Sequence, residues 1–250
     1  MGTPDPVTTA VITAAAYKLQ SKDRILSLPV AGYPGESLGT IVGNWTKRRF
    51  DNAGSVGNKA RLIMLNIGEQ PKTKAPLSVL QPLVEAASLE EDDDLQDIWA
   101  NLLANATDPR ELITVCSMFP AILGDLRHRD VKFLDALYAD AREKLEDHLL
   151  FKDVEQIPYS RPELMKVYVD SGLASTNIYN PTFEQQQNPQ LRKDRENHWM
   201  TRDVIRKHDV IREIFLSGGA DGGGSELTSQ FHITTLGAAF IEACRHPKAS

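Results

Sequence analysis

Between Leu95 and Ala106 the apolar residues Leu95, Ile98, Trp99, Leu102, Leu103 and Ala106 recur at intervals of three and four, the spacing that lays one stripe along an α-helix. Gln96, Asp97, Asn101 and Asn105 project to the other side. Such a helix must bury its stripe, and the flanking sequence supplies partners. LSVLQPLVEAA from Leu77 predicts a short helix, Phe119 through Ile122, Leu123 and Leu126 a third, and Asp130 through Leu134, Leu137, Tyr138 and Leu145 a fourth. Short connections between them predict an antiparallel bundle. Ser88, Leu89, Glu90 and Glu91 read as an S-x-x-E capping box opening the central helix, and Asp108 with Pro109 as its stop. Upstream, residues 35–68 predict one or two amphipathic helices, and QPKTKAP at 70–76 is a linker because its prolines cannot continue a helix.

After residue 150 the texture changes. RPELMKVYVDSGLAS predicts a helix ending near Gly172 in a left-handed cap, and ELTSQFHITTLGAAFIEAC gives a strand with Leu227, Ser229, Phe231 and Ile233 in alternation, then a helix with Leu236, Phe240 and Ile241. The order resembles a winged helix. The expected fold is therefore mainly α, a helical bundle followed by a small α+β winged-helix-like region. Its expected segments are an N-terminal helical segment (1–75), a helical core (76–150) and the winged-helix-like region (151–250), with flexible loops near 180–200, rich in Gln, Asn and charge, and 217–225, SGGADGGGS.

Charge and cysteine usage narrow the function. The net charge is −6, which argues against a surface that attracts polyphosphate everywhere. Residues 1–150 carry 16 basic and 21 acidic side chains and residues 151–250 carry 12 and 13, so nucleic-acid contact, if any, belongs to the second part. Cys116 and Cys244 sit in no zinc-like or disulfide framework, which points to a reducing, cytoplasmic setting. No basic stretch precedes the first apolar residues, so a secretory leader is not expected, and no run of about 18 apolar residues predicts a membrane span.

PLVEAASLEEDDDLQDIWANLLANATDP, Pro82 to Pro109, resembles the signature of the Abi-alpha (abortive infection) family. The likeness extends through LGTIVGNWTKRRF and KARLIMLNIGEQPK upstream and SMFPAILGDLRHRDVKFLDAL downstream, about residues 30–140. It implies a bacterial anti-phage context in which infected cells stop growing or die before phage release. It carries no catalytic residues.

The chain's own residues agree with a binding protein. The sequence has no G-x-S-x-G, Walker A loop or G-x-G-x-x-G after a strand, and its six histidines lack HExxH spacing. No catalytic residue, metal or cofactor is expected. The acidic run containing Glu90, Asp92, Asp93 and Asp94 is read first as a complement to a helix dipole and second as a partner-binding surface. Leu95, Trp99, Leu102 and Leu103 are the structural signature. Arg192, Lys193, Arg195, Arg202, Arg206 and Lys207 lie within 191–215, a stretch of seven basic against five acidic residues; it is read first as a solvated mixed-charge helix and second as the candidate nucleic-acid surface. Expected partners are a protein or a second copy of the chain, with DNA-binding regulation through the C-terminal region as an alternative. A lower-ranked alternative is membrane action by residues 25–46, where Ala31, Gly35, Gly39 and Gly43 recur every fourth position. The preferred reading of those glycines is tight packing against the bundle.

Overall fold

The computed structural model describes residues 38–70, 76–145, 150–174, 178, 182–216 and 228–247. The fold is mainly α with a small three-stranded antiparallel sheet near the C-terminus. It divides into two compact units, residues 1–124 with 243–250, and residues 125–242. The segment limits at 75 and 150 do not coincide with these units, because the helix at His128–Lys144 packs with elements that follow it.

In the first unit, α1 (Leu38–Asn66) lies along α2 (Leu77–Ala87) and α3 (Asp93–Thr107), and α4 (Phe119–Asp125) follows. α1 is a single helix of 29 residues, about 44 Å long. Val56, Ala60 and Met64 of α1, Leu83 of α2, and Leu95, Trp99, Leu102 and Leu103 of α3 are buried. The stripe of the central helix thus packs as expected, but its other side is not free. Gln96 and Asn105 are also buried. Gln96 donates to the Glu90 carbonyl at 2.9 Å and accepts from the Ser55 hydroxyl at 2.9 Å, while Asn105 donates to the carbonyls of Ala243 and Arg245 at 2.9 and 2.8 Å. α3 is enclosed on two sides, so buried polar side chains satisfy backbone groups there.

The helix start also needs correction. Asp92 is the N-cap of α3, in the extended conformation with φ −79° and ψ 121°, and its carboxylate accepts from the amides of Asp94 and Leu95. Ser88 has helical φ −65° and ψ −17° and closes α2. A cap must leave the helical region to turn its side chain onto the first free amides, which Ser88 does not do. Its hydroxyl instead donates to the Glu85 carbonyl at 2.7 Å.

The second unit contains α5 (His128–Lys144), α6 (Phe151–Val154), β1 (Tyr159–Ser160), α7 (Arg161–Asp170), α8 (Phe183–Gln186), α9 (Pro189–Lys207), β2 (Ile211–Leu216), β3 (Thr228–Ile233) and α10 (Thr235–Ala243). The sheet order is β1-β3-β2, with Tyr159 opposite Phe231 and Ile211 opposite Ile233. α7 opens with a capping box, Ser160 with Glu163, and ends where Gly172 takes φ 74° and donates to the Val169 carbonyl at 2.8 Å. Much of the loop expected near 180–200 is helical, since residues 189–200 belong to α9. Asn188 caps α9, accepting from the Gln190 amide, and Pro189 occupies its first turn, where a missing N–H costs nothing. The loop at 217–225 lies outside the described residues, as do residues 25–37 of the glycine-spaced segment. Gly43, which is described, has nothing within 4 Å of an added Cβ, so tight packing is not found there.

Candidate functional site

Most of the acidic turn is engaged inside the first unit. The Glu90 carboxylate accepts from the Asp92 amide at 2.9 Å, and Asp92 caps α3. Asp93 and Asp97 hold the Lys59 ammonium of α1 at 2.8 and 2.7 Å. Burial alone would lower the Lys59 pKa, but the hydrogen bonds that its ammonium donates to the two aspartates outweigh it and raise the group above its ordinary value. Glu91 meets Arg48 at 3.6 Å with both side chains largely exposed, a pairing of small energetic weight. The turn therefore joins α1 to α3 as well as complementing the helix dipole.

α9 has two contrasting sides. Leu191, Asp194, His198, Thr201 and Ile205 are buried. Asp194 accepts from Gln190 at 2.7 Å, and the Thr201 hydroxyl donates to buried Asp130, which also accepts from Arg127. His198 stands edge-on to Tyr168 at 4.9 Å, and Tyr168 in turn to Phe133 at 5.3 Å. Burial, with the Arg202 guanidinium nearby, lowers the His198 pKa to about 4, so the ring is neutral in this packing. On the outer side, Arg192, Lys193 and Arg195 are exposed. Arg202 lies over the Trp199 ring at 4.3 Å and meets Asp203 at 3.3 Å. Arg206 pairs with Glu213 of β2 at 2.9 Å, and Lys207 and His208 converge on Asp125. Hydrogen bonds from Lys207 and then His208 hold the Asp125 carboxyl below its usual range. The basic residues read from the sequence thus fall on one helix; among the described residues its first half meets no ion-pair partner, and its second half is matched by carboxylates.

The sequence matches the family model described as abortive infection alpha over residues 52–244. The chain belongs to the abortive infection alpha family. No curated protein and no solved structure matches it. The family match begins within α1, later than the residue 30 read from the sequence, and runs far past residue 140 through the whole sheet. Both the signature helix and α9 are therefore abortive infection alpha elements.

One feature of this abortive infection alpha chain escaped the sequence reading. A cleft of about 460 Å³ opens between α1 and the end of α2, lined in part by Trp45, Arg48, Arg49, Asn52, Ser88 and Leu89. Arg49 lies over Trp45 at 4.9 Å and donates to the Ser88 hydroxyl at 2.9 and 2.7 Å. Asn52 donates to the Ser88 carbonyl at 3.3 Å. Trp45 and Arg49, four residues apart on α1, were the available signal, but Ser88, to which Arg49 donates, lies 39 residues away from it.

Proposed function

We propose that the protein acts in abortive infection, limiting phage multiplication at the expense of the infected bacterial cell, and that it does so by binding rather than catalysis. Membership of the abortive infection alpha family supports the defence role. The binding reading rests on one observation, the arrangement of residues 125–242. Apart from the four-residue helices α6 and α8, helix α5, strand β1, helices α7 and α9 and the antiparallel pair β2 and β3 follow one another, with β3 between β1 and β2. This order resembles that of a winged helix, a recognition scaffold whose last helix before the hairpin is the usual reading element. Here that helix is α9. The elements around it fit a rigid presenting frame, because its inner face is locked by Thr201 on Asp130 and by His198 on Tyr168.

Plating efficiency tests the defence role. Bacteria expressing the chain should give fewer or smaller plaques with at least one phage of a broad panel than bacteria without it. Equal plaque counts and equal cell survival across the panel would remove the reading. Of residues 25–46, the alternative membrane-active segment, 25–37 lie outside the described residues; no described helix is long and apolar enough to cross a membrane.

A further inference from the structure

We propose that the outer face of α9 is a binding surface for duplex DNA, an inference that rests on reading residues 125–242 as a winged helix and names its ligand. The argument begins with spacing. Arg192, Arg195, Trp199, Arg202 and Arg206 are separated by three, four, three and four residues, so they form one stripe along the helix. Lys193 extends it at the N-terminal end. The neighbouring stripe holds Leu191, His198 and Ile205 and is buried; Arg192, Lys193, Arg195, Trp199 and Arg206 are exposed beside it, while Arg202, nearest the buried stripe, is half-buried.

Charge selects the occupant. Arg192, Lys193 and Arg195 meet no carboxylate among the described residues, whereas Arg202 and Arg206 have Asp203 and Glu213. Asp194, which would have neutralised the first cluster, is turned inward onto Gln190. With exposed Glu196 on the same turn, Arg192, Lys193 and Arg195 leave an excess of two positive charges there, which attracts a polyanion, and the helix N-terminus beside them adds partial positive charge. Trp199, 42% exposed and held under the Arg202 guanidinium, offers an apolar plate in the middle of the stripe, suited to a sugar or a thymine methyl group. An α-helix about 10–12 Å across enters the major groove of B-form DNA, about 12 Å wide, while the deep, narrow groove of A-form RNA excludes it. Duplex DNA therefore fits this face.

The test is fluorescence anisotropy of a labelled mixed-sequence duplex of about two turns with the full chain, from about 50 to about 200 mM salt. Three phosphate contacts predict a log–log salt slope of about −2.7, a loss of affinity of roughly 40-fold over that range. The triple variant Arg192→Ala, Lys193→Ala, Arg195→Ala should keep the wild-type melting curve, since all three are exposed, yet bind at least about tenfold more weakly with a slope near zero. Trp199→Ala should weaken binding without changing the slope. Lys166→Ala, a surface charge on α7, should change neither. Absence of duplex binding at the lowest salt, unchanged binding by the folded triple variant, or binding of single-stranded RNA in preference to duplex overturns the proposal. Plaque counts separate the two readings. If duplex binding is absent while the chain still lowers plaque counts, this inference falls and the defence role stands; if binding behaves as expected while plaque counts are equal with and without the chain, the defence role falls.

Discussion

A Cβ on Gly237 would lie 2.2 Å from the Val210 carbonyl oxygen, whereas one on Gly43 would meet nothing within 4 Å. Opposite outcomes follow from the same substitution. At Gly237, the first turn of α10 crosses the entry to β2 with no room for a side chain, and its amide is fixed by the Thr234 hydroxyl at 2.9 Å. Gly237→Ala should cost about 1–3 kcal/mol through forced displacement, read as a lowered melting temperature; an unchanged melt would contradict the close approach. Gly43→Ala should stabilise by about 0.5–1 kcal/mol, because alanine is the better helix former where space is open. If it destabilised instead, α1 would be packed there after all. Trp99, 1% exposed in α3, carries the largest single expectation. Trp99→Ala should cost about 3–5 kcal/mol and lose activity through unfolding, and a variant melting like wild type would mean that the stripe is wrongly placed.

At the scale of elements, two S-x-x-E sequences had different fates. Ser160 and Glu163 form a true capping box, with hydrogen bonds from the Ser160 hydroxyl and amide holding the Glu163 carboxyl below its ordinary pKa. Ser88 to Glu91 does not, because Arg49 from another helix captures Ser88 and Asp92 takes the cap. Asp92→Ala should therefore destabilise by about 0.5–2 kcal/mol, measurable by chemical denaturation, and a neutral effect would move the start of α3 elsewhere. The first half of α9 was taken for a loop for a related reason. Its few apolar residues are diluted by Gln, Asn and charge, and the polar side chains that it buries, Asp194, His198 and Thr201, have partners that sequence spacing does not reveal. His198 supplies a pH test. Its folded pKa is about 4 against about 6.5 when unfolded, so the unfolded chain binds the proton first as pH falls. Stability contributed by the neutral ring is fully present above about pH 6.5 and declines towards pH 4, by at most about 1.4 kcal/mol per pH unit. The melting temperature of the wild type should fall over that window more steeply than that of His198→Phe; parallel curves would show that the ring is accessible to protons.

Across the whole molecule, what could be read early was whatever one stretch of chain determines by itself. The α3 stripe, the alternation of Ser229, Phe231 and Ile233, and the left-handed Gly172 are of this kind. Features set by distant chain were not legible. β1 is two residues long and exists through pairing with β3, Gln96 is buried because Ser55 lies 41 residues before it, and Asn105 because Ala243 lies 138 residues after it. The candidate surfaces divide in the same way. The basic spacing of α9 was visible, but which of its cations are matched by Glu213, Asp203 and Asp125 depended on the fold. The central claim, defence by abortive infection, is tested most directly by following free phage and host viability through a single synchronous infection, with and without the chain. The account predicts that expressing cells lose viability on infection and release fewer phage per infected cell. The same phage yield at the same time from both cultures would contradict it.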